Sequence, residues 1–390
     1  MWRRVSLKNY RSIEKAEVEL APLTVLVGPN GSGKSNFADA LVLASEISFD
    51  AASAIKRRGG LGSLRRWGIP ETEETGISIR VADEKAELDL RYAQQSFSLL
   101  PKPETDWRFG MEHAARVVDG ESVFQFERRA DGAYLLDSEG ETSTAFESLP
   151  PTTSIMLYGR QLFGTGEPGL FRTRRLQFEL ARMRFPQQVS NDAELEVDGG
   201  NLAGVLRRLK TEKGHDFSSV LLAMKRLIPD LEDLSVTETG KYLFVEFEQR
   251  QPGGVARFGI SEMSEGALRA LGLIVAAKTM PANRFLIIEE PEVSIHPGAA
   301  AVLYEVLEEA SHRGSILVTT HSPEFLDAAR EEEILVCQYR GGATRVGPLA
   351  RAQRELVNEG ILALSELMRS EPLRIEGEPP DVIDPADISP

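Results

Sequence analysis

The chain has 390 residues, of which 42% are hydrophobic and 27% charged, and its formal net charge is −15. That balance describes a globular protein with one large core or two modest ones, and it excludes a chain that coats nucleic acid by overall charge. The single cysteine, Cys337, excludes an internal disulfide and suits a reducing cytoplasm.

The opening MWRRVSLKNYRSIEKAEVEL holds no apolar stretch long enough for a signal peptide. Nowhere does the chain approach the run of about 18 apolar residues that spans a bilayer, so no membrane contact and a cytoplasmic location are expected. Leu23-Thr24-Val25-Leu26-Val27 reads as a buried strand, and Asn36 to Ile47 as the helix after a tight loop. From about Ile77 to Leu136 short alternating runs are broken by turn signals. Asp119-Gly120 and Asp131-Gly132 tolerate the positive φ of tight hairpins, so this stretch predicts an antiparallel meander. Helices are expected over Asn201 to Lys210 and Asp216 to Ile228, with Asn201 and Asp216 as caps. Strands around Tyr242–Glu248 and Val255–Ile260 flank the turn Gln251-Pro252-Gly253-Gly254.

After Ser261 buried strands alternate with helices: Phe285–Ile288, Ile316–Thr319 and Ile334–Val336. Such apolar runs indicate a parallel sheet covered on both faces. The reading is therefore an α/β core from about residues 1–50 and 261–345, interrupted by a β-rich and helical insertion at about 51–260. No heptads or repeats occur, and Cys337 reads as a buried strand residue. The last twenty residues carry five prolines and six acids, so 366–390 is expected to be a disordered tail.

Four motifs carry chemistry. Gly28-Pro29-Asn30-Gly31-Ser32-Gly33-Lys34-Ser35 is a complete Walker A sequence between a predicted strand and helix. Its glycines let backbone N–H groups turn around phosphate oxygens, Lys34 would reach the β/γ-phosphates of ATP, and Ser35 would hold Mg²⁺. Phe285-Leu286-Ile287-Ile288 ends in Glu289 and Glu290. There Glu289 would bind Mg²⁺ directly or through water, and Glu290 would orient the attacking water or accept its proton. Ser264-Glu265-Gly266 opens an amphipathic helix, with Ser264 as cap and Gly266 keeping the first turn open, so its N-terminus could receive a γ-phosphate. Thr319-Thr320-His321-Ser322-Pro323 follows a strand, where His321 could contact the same phosphate. His296 has no neighbours at metal-ligand spacing, so zinc is not expected.

In this order the motifs resemble the RecF/SMC/OLD branch of ABC ATPases, specifically stand-alone RecF-like AAA-family ATPases, over about residues 1–365. Asn9-Tyr10-Arg11-Ser12-Ile13 and Asp198-Gly199-Gly200-Asn201-Leu202-Ala203 extend the likeness. The resemblance implies an ABC-type P-loop head with a mixed sheet core, an antiparallel β subdomain and a helical insertion. It implies a homodimer that sandwiches ATP, with the signature Ser264, Glu265 and Gly266 acting in trans, and Arg11 as a phosphate contact. It also implies work in DNA repair or anti-phage defence, with DNA or a separate effector such as a nuclease as partner. Gln161 is the candidate Q-loop glutamine. Ser-Glu-Gly replaces the Ser-Gly-Gly type of transporters, and Val293-Ser294-Ile295 stands where related proteins often carry Gly-Leu before His-Pro. Only 69 residues follow His321, and Asp381, Asp384 and Asp387 fall in the proline-rich stretch, so no TOPRIM nuclease domain is expected. Arg57-Arg58, Arg65-Arg66 and Arg172, Arg174, Arg175 are local basic clusters, of a kind more often solvated than bound to DNA.

Overall fold

The computed structural model describes residues 2–83, 91–102, 106–118, 121–129, 132–137, 139, 141–146, 149–154, 172–190 and 192–377. Its centre is the strand β3 (Leu23–Val27), which is preceded by β1 (Trp2–Tyr10) and β2 (Ile13–Glu19) and followed by the long helix α1 (Lys34–Arg57). Residues 61–64 form a single turn, α2 (Leu61–Leu64). The meander then runs through β4 (Thr75–Asp83), β5 (Arg91–Lys102), β6 (Asp106–Val118), β7 (Glu121–Arg129), β8 (Gly132–Leu136) and β9 (Thr142–Phe146). It does not stand as a separate sheet. β4 pairs with β1, Val5 opposite Ile79 and Leu7 opposite Ile77, so the meander continues the core sheet outward.

The helical segment holds β10 (Thr173–Arg175), α3 (Leu180–Arg184), β11 (Gln187–Gln188), α4 (Leu202–Glu212) and α5 (Gly214–Leu227). A small antiparallel sheet follows, built from β12 (Leu231–Thr239), β13 (Tyr242–Gln251) and β14 (Gly254–Gly259), with β11 on the edge of β13. The chain returns to the core through α6 (Glu265–Thr279), β15 (Phe285–Glu289), α7 (Ala300–Ser311), β16 (Ser315–Thr320), α8 (Pro323–Leu326), β17 (Ile334–Arg340) and β18 (Ala343–Pro348). It then ends in α9 (Arg351–Asn358) and α10 (Leu364–Ser370).

The large sheet runs β10-β15-β16-β3-β17-β18-β2-β1-β4-β5-β6-β7-β8-β9, parallel from β10 to β17. Alternation along each parallel strand sends side chains to two cores. Leu26, Ile287, Leu317 and Leu335 meet Phe37, Leu41 and Ile47 of α1. Val25, Val27, Ile288 and Val318 face Leu271, Ile274, Leu303 and Leu307 of α6 and α7. Burial on both faces is why these strands read as unbroken apolar runs.

Several expectations need correction. α1 runs ten residues past Ile47 and kinks at Asp50, whose φ and ψ of −154° and 87° are not helical and whose carboxylate accepts from Ser53 N at 3.0 Å. Asp216 is not a cap: α5 starts at Gly214, and Asp216 lies in its first turn. Asn201 stands at the cap of α4, but its side chain instead accepts from Glu196 N at 2.8 Å and donates to Glu194 O at 3.0 Å. The tail does not begin at 366. Leu367 and Ile375 are buried, Leu349 bridges to Ile375, and Gly347 leaves no room for a Cβ beneath the Ile375 side chain, so the chain is docked as far as Gly377.

Candidate functional site

The loop after β3 is shaped by contacts that only glycine permits. A Cβ on Gly28 would lie 2.1 Å from Cys337 O of β17, and one on Gly33 would lie 2.2 Å from Thr344 Oγ1 of β18. Gly31 and Gly33 also hold φ of 79° and 107°. The loop is then pinned from outside, because Thr344 Oγ1 donates to Ser32 O at 2.8 Å and Cys337 Sγ approaches the same oxygen at 3.4 Å. Burial pushes the Cys337 thiol up to about 11, which keeps it neutral.

Lys34 folds back over this loop and donates to Gly28 O at 2.8 Å and Pro29 O at 3.1 Å. The Ser32 hydroxyl oxygen is buried without a hydrogen-bond partner. A tight glycine-shaped loop, a lysine bonded to loop carbonyls and an orphaned buried hydroxyl together fit an anionic ligand such as a triphosphate.

β15 and β16 bring the second motif alongside. Ser35 Oγ donates to Glu289 Oε2 at 3.2 Å across the foot of α1, so serine and carboxylate share one small space. Glu289 Oε1 is buried and has no hydrogen bond, although Arg175 Nη2 stands 2.7 Å away. Two hard oxygen donors with an unsatisfied lone pair fit Mg²⁺. Glu290 lies one residue beyond and holds φ of 46°, an uncommon conformation for a residue with a side chain. Its N–H donates to Thr319 O at 2.8 Å, which extends the ladder and turns the carboxylate toward His321. His321 Nδ1 is 3.3 Å from Glu290 Oε1 and 4.0 Å from Glu292 Oε1.

Glu292 was not singled out by sequence reasoning. Its Oε1 accepts from Thr320 Oγ1 at 2.5 Å and from His321 N at 3.4 Å, so it holds the loop that carries the histidine. The sequence offered only its nearness to Glu289 and Glu290 in Glu-Glu-Pro-Glu. Gln177 was also missed. It follows β10 and lines a cleft with Arg269, Glu289 and Glu290, whereas Gln161 lies outside the described residues.

The remaining candidates have these partners. Arg11, at φ 48°, pairs with Asp39 Oδ2 at 2.9 Å and reaches Asn36 Oδ1, next to Ser35, at 3.4 Å. Asp39 also accepts from Tyr10 OH at 2.6 Å and Arg58 Nε at 3.0 Å. Burial and the Asp39 carboxylate push the Tyr10 hydroxyl far above its ordinary range. Ser264 caps α6 by accepting from Ala267 N at 3.2 Å and is exposed, as is Glu265. Gly266 does more than open the turn, because a Cβ there would lie 2.0 Å from Ser294 O. The loop after Glu290 therefore crosses directly over the signature.

Most arginines of the basic clusters have partners within the chain, the Arg58 side chain being 9% exposed and the others partly exposed. Arg58 serves Asp39 and Glu46, Arg65 donates to Glu73 O and Pro70 O, Arg174 pairs with Glu194, and Arg172 lies over the Phe49 ring.

A family model described as "AAA domain, putative AbiEii toxin, Type IV TA system" matches residues 172–327, and one described as "AAA ATPase domain" matches residues 1–92. The OLD nuclease of Thermus scotoductus is 23% identical over 354 residues, covering 86% of this chain and 61% of that protein. The DNA replication and repair protein RecF of Magnetococcus marinus is 41% identical over 69 residues, covering 17% of this chain and 16% of its own. An SMC head crystallised with the C-terminal winged-helix domain of ScpA superposes with a TM-score of 0.55 at 16% identity, covering 90% of this chain and 99% of that one. The chain is similar to OLD and RecF proteins and has the fold of an SMC head. It spans about three fifths of the OLD nuclease and a sixth of RecF. Among the described residues no helix is long and apolar enough to cross a membrane.

Proposed function

We propose that this ATPase head binds ATP with Mg²⁺, hydrolyses it, and uses the cycle to close and open a pair of heads. The observation that carries the reading is the meeting of Ser35, Glu289, Glu290 and His321 above a loop that only glycines can form. Gly28, Pro29, Asn30, Gly31, Ser32 and Gly33 would surround the phosphates, and Lys34 would exchange its two carbonyls for phosphate oxygens. Ser35 and Glu289 would hold Mg²⁺, which when bound draws off charge from the phosphate oxygens. Glu290 would orient water or take its proton, while His321, steadied by Glu292, would hold that carboxylate in place and contact the γ-phosphate. Gln177 is the better candidate for the glutamine sought at Gln161. Ser264, exposed at the start of α6, is free to meet a phosphate held by a second copy.

Relatives named as an OLD nuclease and a DNA repair protein support a DNA-linked setting, repair or anti-phage defence. The arginines partnered within the chain favour a second reading, in which the head licenses a separate effector and does not itself grip DNA. ATPase rates with and without single-stranded, duplex and end-bearing DNA, with salt-dependent binding measured in parallel, separate the two. Stimulation and salt-sensitive binding support the first, and their absence supports the second. No ATP turnover under any condition contradicts both.

A further inference from the structure

Arg175 is the arginine of its cluster that neither the fold nor the proposed hydrolysis uses. β10 is the edge strand of the parallel sheet, and Arg175 pairs in register with Ile287, two residues before Glu289 on the neighbouring strand. Side chains of 287 and 289 share a face, and the Arg175 guanidinium extends along it to reach Glu289 Oε1 at 2.7 Å. Ser35 occupies the other oxygen, Oε2. Each oxygen of the proposed metal ligand therefore has a neighbour from the chain itself.

The pair is close but badly aligned. Neither Glu289 Oε1 nor Arg175 Nε makes a hydrogen bond, and the two side chains are 21% and 26% exposed. Charge neutralises the carboxylate here without the directional bonds that make arginine–carboxylate pairs strong. Such a contact holds Glu289 in place, yet a dication of higher charge density that sits between hard oxygen donors can displace it.

We propose that Arg175 is a latch on the metal site: it holds Glu289 against free divalent cations, so that the metal enters together with the nucleotide. This rests on the reading of Ser35 and Glu289 as metal ligands. Phosphate oxygens arriving with the metal supply further ligands and a new acceptor for the released guanidinium. Metal and nucleotide binding are thereby coupled through one ion pair. Arg175 acts through Glu289 and is a positioning residue.

The test is free Mn²⁺ binding to the nucleotide-free chain, read by electron paramagnetic resonance, for the wild type, Arg175→Gln, Arg175→Lys and Glu289→Gln. Removing the latch should tighten free Mn²⁺ binding about tenfold in Arg175→Gln, since a part-buried pair must otherwise be broken. Arg175→Lys, which keeps the cation, should stay within about twofold of wild type. Unchanged or weaker Mn²⁺ binding by a folded Arg175→Gln chain overturns the proposal, because a brace of merely structural value predicts loss and not gain. Should Arg175→Gln fail to fold by circular dichroism, the wild type and Glu289→Gln decide. With Glu289 latched, the two bind free Mn²⁺ alike; a clear loss in Glu289→Gln means that Glu289 was already open to metal. A wild type that binds no Mg²⁺–ATP by calorimetry defeats the underlying reading, whereas normal Mg²⁺–ATP binding with no gain in Arg175→Gln defeats the latch alone.

Discussion

Glu290 keeps a left-handed backbone beside a histidine and a second carboxylate, a strained arrangement held by its N–H bond to Thr319 O. If it serves the attacking water, Glu290→Gln should retain ATP binding and slow turnover at least about a hundredfold, or roughly 2.7 kcal/mol of transition-state stabilisation. Lys34→Ala should instead remove detectable binding in calorimetry, since its amine is the cation aimed at the loop. Near-normal turnover by the glutamine variant would move the base elsewhere. Gly266 makes a separate point about the signature. Its missing side chain accommodates Ser294 O at 2.0 Å from the Cβ position, and a backbone carbonyl held at a Ser294 φ of 65° cannot yield cheaply. Gly266→Ala is expected to cost about 1–3 kcal/mol, visible as a lowered melting temperature. An unchanged melting temperature would show that the crossing loop relaxes freely.

At the scale of elements, the P-loop is fastened to two distant strands. Cys337 of β17 and Thr344 of β18 both touch Ser32 O, and Ser12 Oγ joins Thr344 Oγ1 at 2.7 Å. The raised Cys337 pKa makes a testable statement. A neutral buried thiol contributes its share of stability fully below the ordinary thiol value near 8.5, and loses it as pH climbs toward about 11. The native chain should resist iodoacetamide at pH 8 while the urea-unfolded chain reacts, and the urea midpoint should fall as pH rises above about 9. Rapid alkylation of the native chain would contradict the burial. Asp39 is the other fastener, receiving Arg11, Arg58 and Tyr10. Asp39→Asn removes the anion that Arg11 and Arg58 share, leaving Glu46 and Asn36 as their partners, and chemical denaturation should register a loss of about 3 kcal/mol.

The same elements explain what the sequence made legible. β3, β15 and β16 were readable because burial on both faces gives continuous apolar runs ending in chemistry, and Ser264 because a cap precedes a periodic helix. The pairing of Arg11 with Asp39 was not legible, because a charge near a phosphate loop and a charge paired to a helix carboxylate look alike in one dimension. The tail boundary was misjudged because Leu373 and Ile375 are isolated apolar residues among prolines and acids, and only the docking surface at Gly347 gives them a partner. Arg175 and Gln177 were invisible as site residues because their place depends on β10, a strand of three residues.

For the whole molecule, strands from the two ends of the chain form the middle of one sheet, which the meander β4–β9 extends on one side and β10 closes on the other. The signature is carried on α6 and exposed, while the phosphate loop lies across the sheet on α1, so the account needs a second head to complete each site. Mixing Ser264→Arg chains with Lys34→Ala chains tests this most directly. Each alone should be inactive, the first because a bulky cation fills the space meant for phosphate and the second for want of nucleotide. A mixed pair restores one site with Lys34, Glu290 and Ser264 intact, so ATPase activity should rise above both parents, to at most about a quarter of wild type if sites act independently and less if closure is shared. A flat rate, once labelled subunits are shown to exchange and ATP to close the mixed pair, would contradict the composite site and with it the dimeric ATPase.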